Sequence, residues 1–149
     1  MSRPPTDLDI AVRVVPTVLR WPDANKGVWR TLRDCVQSLH ALGRRLDERC
    51  MEVERDTALD RKSIERQRNE LGSAALLELS SFKPFQIADK AASEEINLLE
   101  QQPYRTAQEV QAYNALIKAR ADLREGIPAT RRLVLERCKM RERAAVGSF

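Results

Sequence analysis

The chain reads as an all-α protein. The expected architecture is a long amphipathic N-terminal helix in a helical hairpin or bundle with coiled-coil character, preceded by an extended N-terminal arm. Three observations lead there. No proline, the residue that breaks a helix interior, stands between Pro22 and Pro84. Val28, Leu32, Cys35, Leu39, Leu42 and Leu46 follow one another at steps of 4, 3, 4, 3 and 4, the apolar seam of helices that pack side by side. Aromatic residues are only 5% of the 149 residues and glycines number five, so amphipathic helices of one chain alone give a thin core that a second chain would complete.

Residues 1–22 form the arm. Pro4, Pro5, Pro16 and Pro22 punctuate it, and Ile10, Val12 and Val14 alternate with Ala11 and Arg13 at the period of a strand. Val15-Pro16 stops any regular ladder. No second strand candidate follows, so the arm either lies along the chain's own helices or pairs with another chain.

Residues 23–149 read as one helical domain, with helices at about 23–80, 85–101, 107–125 and 129–145. Asp23 or Asn25 can cap the first. Its seam weakens after Leu46 into Cys50, Val53, Thr57 and Ile64, with an extra step of four that unwinds a supercoil locally. Unbroken, such a helix would span roughly 87 Å at about 1.5 Å per residue, which is long for a chain of this size. Either the rod is real or the helix breaks; Gly72-Ser73 is the expected place of a break, and Gly43 the expected close-contact site. Between Val53 and Glu70 charged residues dominate, and Arg61–Glu65 and Arg66–Glu70 stand one turn apart, where each pair adds a few tenths of a kcal/mol. This reads as a solvated helix face.

Phe82-Lys83-Pro84-Phe85 reads as a turn, with Pro84 placed for the first turn of a new helix. That helix offers Ile87, Ala88, Ala91, Ala92, Ile96 and Leu99 on one side, and Pro103 ends it. Thr106 and Glu109 form a capping-box signature ahead of Val110, Tyr113, Leu116, Ile117 and Leu123. Gly126-Ile127-Pro128 reads as a stop. A last helix carries Leu133, Val134, Leu135, Cys138 and Met140, and Gly147 closes it.

Composition and spacing exclude most chemistry. The sequence has no stretch approaching the ~18 apolar residues of a membrane span, and no basic start followed by an unbroken apolar run of a signal peptide. Cys35, Cys50 and Cys138 lie far apart without a CxxC pair, which argues against a disulfide framework or zinc site and for a reducing, cytoplasmic setting. Five scattered glycines give no phosphate-binding loop. His40 is the only histidine. It stands five residues from Cys35, so the two point in different directions around a helix and make no nucleophile–base pair. Glu94, Glu95 and Glu100 lack the Glu-x-x-His partners of a di-metal bundle and read as a solvated acidic face. No catalytic residue, cofactor site or metal site is assigned, and the chain reads as a non-enzyme.

Two binding functions remain. The first is an assembly or adaptor protein acting through helix–helix contacts, with the seam Val28, Leu32, Cys35, Leu39, Leu42 and Leu46 as partner interface, buried against another helix of the same chain or of a second one, and self-association expected. The second, the alternative, is a nucleic-acid-binding accessory protein. Arg outnumbers Lys 20 to 6, and residues 127–149 carry a net +4, equal to the charge of the whole chain. Arg131, Arg132, Arg137, Lys139, Arg141 and Arg143 are its candidate phosphate contacts. No aromatic interleaves with them, so base stacking is not suggested. A helix-turn-helix over 85–101 is disfavoured, because Ala92 stands where the turn glycine belongs and the following helix is acidic.

Overall fold

The computed structural model describes residues 26–141. The arm at residues 1–22, the caps Asp23 and Asn25, and the end of the expected last helix with Arg143 and Gly147 lie outside the described residues. Those described form four helices and no strand. They are α1 (Lys26–Arg55), α2 (Arg61–Ser80), α3 (Lys83–Gln101) and α4 (Ala107–Arg137).

The chain runs up α1, down α2 and α3, and up α4. Arg45 of α1 meets Glu78 of α2 at 3.2 Å, Arg124 of α4 meets Asp89 of α3 at 2.7 Å, and Arg137 of α4 meets Glu54 of α1 at 2.9 Å. These contacts set α2–α3 antiparallel to both neighbours, with α1 and α4 parallel. The result is a bundle of three mutually packed columns, α1, α4 and the end-to-end pair α2–α3, in which α1 and α4 each touch all three other helices.

The expected 23–80 helix is two helices, and the break is at residues 56–60 instead of Gly72-Ser73. Two aspartates make it. Asp56 Oδ1 accepts the Ala58 amide at 2.9 Å, which turns the chain, and Asp60 Oδ1 accepts the Ser63 amide at 2.8 Å as the N-cap of α2. Aspartate side chains compete with the helix for backbone amides, and here the apolar stripe is too thin to oppose them. The Arg61–Glu65 pair survives inside α2 at 3.6 Å, strongly exposed.

Gly72 sits inside α2 and is buried. A Cβ there would stand 2.8 Å from Cys138 Cβ and closer still to Met140 Sδ. Gly72 is therefore a close-approach site between α2 and the end of α4. Gly43 is buried too, on α1.

The joint between α2 and α3 is the expected one. Phe82 is buried at the N-cap of α3, and Pro84 occupies its first turn, where a missing amide costs nothing. The capping box also forms, with Thr106 Oγ1 accepting the Glu109 amide and Glu109 Oε1 accepting the Thr106 amide, each at 3.1 Å.

The stop at Gly126-Ile127-Pro128 does not occur. α4 runs through Pro128, whose ring faces solvent, and the two expected helices at 107–125 and 129–145 are one. The buried positions Leu116, Ala119, Leu123, Gly126, Thr130 and Val134 keep one face in register across the proline. Thr130 Oγ1 donates to the Gly126 carbonyl at 2.7 Å. The helix ends at Arg137, with Lys139 left-handed at φ 53°. The Met140 amide reaches the Leu135 carbonyl at 2.8 Å and the Lys139 amide the Glu136 carbonyl at 3.2 Å, the paired bonds of a Schellman motif.

Candidate functional site

The expected seam is buried, and of the two alternatives it is buried against helices of its own chain. Leu32, Cys35, Leu39, Leu42 and Leu46 are each at most 5% exposed, and Val28 packs against them. A second column lies beside it, because Trp29, Val36, Gly43 and Cys50 recur every seven residues and are all buried. The apolar stripe is thus wider than the two columns of a coiled-coil seam. A stripe of that width suits a helix enclosed by several others, and α2, α3 and α4 enclose it. Small residues opposite, Ala75, Ala88, Ala92 and Ala119, let the backbones come close.

The basic residues of the C-terminal segment are not one surface. Arg137 turns inward. Its Nε donates to Asp47 Oδ1 at 2.8 Å, and its two terminal nitrogens donate to the carboxylate of Glu54 at 2.9 and 3.0 Å. Asp47 is only 4% exposed, so the guanidinium neutralises a carboxylate removed from water. Arg137 is held protonated even more firmly than usual, chiefly by its bonds to Glu54. Arg68 joins from α2, donating to Glu54 Oε2 at 3.3 Å. Arg132 and Arg141 are exposed, Lys139 occupies the left-handed cap, and Arg131 is half-buried with a partner of its own.

Next to this ion cluster lie two thiols. Cys50 Sγ and Cys138 Sγ stand 3.7 Å apart, and both residues are fully buried. The hydrogen bond from Cys138 and the nearby Arg137 lower the Cys50 pKa, whereas bonding to Cys50 and burial raise that of Cys138. Residues 88 apart in sequence meet here, and nothing in their spacing announced it. Cys35, on the seam, is alone, and burial pushes its thiol up to about 12, the mark of an inert core cysteine.

On the face of α1 and α2 turned away from α4 runs a groove. Asp47, Glu54, Arg68 and Gly72 point to α4, while Leu46, Leu71 and Ala75 form the groove floor. Arg49, Glu52, Leu71 and Ala74 continue it toward the break at 56–60. Its rim mixes signs, with Arg45, Arg49 and Arg66 against Glu52, Glu70 and Glu78. Arg45 and Glu78 close one end with an exposed ion pair.

Chemistry-bearing clusters are otherwise absent among the described residues. No group of three or more His, Cys, Asp or Glu side chains converges on a metal position. α3 passes through Ala92 without a turn, so no helix-turn-helix exists over 85–101, and its acid Asp89 is engaged by Arg124. No helix among the described residues is long and apolar enough to cross a membrane. Comparison with protein-family models, with curated proteins and with solved structures finds no match.

Proposed function

We propose that the protein is a non-enzymatic assembly or adaptor protein that receives a partner helix in the α1–α2 groove. The observation carrying this reading is the groove itself, with an apolar floor at Leu46, Leu71 and Ala75 between charged rims of both signs. An amphipathic helix laid there would bury its apolar face on that floor and match charges along both edges. The seam Val28–Leu46 is consumed by intramolecular packing, so the partner surface moves from the seam to this neighbouring face. Exposed Ala74 on the groove wall is the point to perturb.

A photo-cross-linking residue at position 74 should give a discrete adduct in the cells that make the protein, and the same probe at exposed Gln111 on α4 should not. The adduct mass separates a second copy of this chain from a different protein. Ala74→Arg, which adds bulk and charge on a solvent-facing position, should remove the association seen by sedimentation without loss of helical signal. Equal labelling at both positions, or no adduct at either with a monomer at every concentration, overturns the reading. Salt-dependent binding of duplex DNA or single-stranded RNA, lost on changing Arg132 and Arg141 to Gln, would put the nucleic-acid alternative first.

A further inference from the structure

We propose that Cys50 and Cys138 form a redox-active dithiol, which a hydroperoxide closes to an intramolecular disulfide that staples the end of α1 to the end of α4. The two sulfurs already touch at 3.7 Å in a site free of solvent. Bond formation requires an approach to about 2.05 Å. Cys138 is placed to make that movement, because it is the C-cap of α4, one residue past the helix body. Its neighbours on the other side are fixed, since Gly72 lies against its Cβ and Sγ at the distance only a glycine permits.

The roles follow from the surroundings. Cys50 is the sulfur whose ionisation is favoured, by the Cys138 hydrogen bond and by the Arg137 guanidinium, against its burial and the opposing charges of Glu54 and Asp47. Cys138 keeps its proton. The Cys50 thiolate attacks one peroxide oxygen. The O–O bond breaks, the leaving oxygen takes a proton to give water or an alcohol, and Cys50 becomes a sulfenic acid. Cys138 sulfur then attacks the Cys50 sulfur, the S–O bond breaks, and the departing hydroxide takes the Cys138 proton as water. Both sulfurs are oxidised by one electron each, and the two peroxide oxygens are reduced. An external thiol reverses the step by exchange. Access comes through the end of α4, where helix termini open most easily. Cys35 is buried mid-helix without a thiol or cation beside it and serves as the internal control.

The test treats the purified full chain with one equivalent of hydrogen peroxide, then counts thiols under denaturing conditions. The expected result is a fall from three thiols to one, a monomer 2 Da lighter, and a Cys50–Cys138 cross-linked peptide that dithiothreitol removes. The oxidised form should melt higher by about 5 °C or more, because the cross-link restricts the unfolded chain over a long loop. Cys35→Ser should behave as the parent. Cys50→Ser and Cys138→Ser should each lose the cross-link, and circular dichroism establishes that they are folded. Three thiols remaining, a cross-link through Cys35, or oxidation confined to a covalent dimer would overturn the proposal. A cross-link equally fast in the unfolded chain would do so as well.

Discussion

At the scale of single residues, Arg137 shows how a charge pattern misleads. In sequence it is one of six cations in a basic run; in the fold it is the partner of buried Asp47 and of Glu54. Arg137→Ala should destabilise the bundle by about 3 kcal/mol, the cost of stripping a guanidinium from a buried carboxylate. Arg132→Ala, on an exposed position, should stay within about 0.5 kcal/mol. Urea unfolding of both variants measures the contrast. Spacing identified this cation but not its direction, because the carboxylates that turn it inward lie on α1, 83 and 90 residues away. Cys50 and Cys138 were illegible for the same reason. Lys139 is a second residue the pattern hid. It holds a left-handed conformation that costs a side chain about 1 kcal/mol. Lys139→Gly should therefore raise stability by up to about 1 kcal/mol, seen as a higher denaturant midpoint at unchanged slope.

Among elements, those marked by local chemistry were readable. The Phe82–Pro84 joint, the Thr106–Glu109 box and the apolar column of α1 are each written within a few residues. Element ends decided by competition were not. Asp56 and Asp60 broke a helix that propensity alone would continue, and the buried face Leu116–Val134 carried α4 through Pro128 against a local stop signal. Glycine gave the clearest inversion. Gly72, read as a break, is a contact, and its replacement tests that. In an open helix Gly→Ala gains up to about 1 kcal/mol. At Gly72 the new methyl meets Cys138 and Met140, so Gly72→Ala should instead cost about 1–3 kcal/mol by overpacking. Gly27, where a Cβ would meet nothing within 4 Å, should show the ordinary gain. Thermal melts of the two variants should move in opposite directions.

On the scale of the whole molecule, the Arg137–Glu54–Asp47 cluster ties α1 to α4 and makes stability depend on acid. Glu54 is held below its ordinary carboxylate range, first by the hydrogen bonds from Arg137 and further by Arg68. Its contribution is fully present above the unfolded pKa of about 4.3 and disappears as pH falls through the lower folded value. The melting midpoint should hold from neutral pH to about 5 and then fall, and Glu54→Gln should start lower with a shallower acid limb. The α2–α3 joint at Ser81–Phe82 has a second consequence. Asp89 lies opposite Arg124, and Gly72 opposite Cys138, so the joint falls alongside the turn of α4 that holds Pro128. The α2–α3 column is interrupted at this level, while α1 and α4 cross it whole. Amide hydrogen exchange should therefore resolve two blocks, one on each side of that level, that open with different free energies, while the middles of α1 and α4 exchange only when both are open.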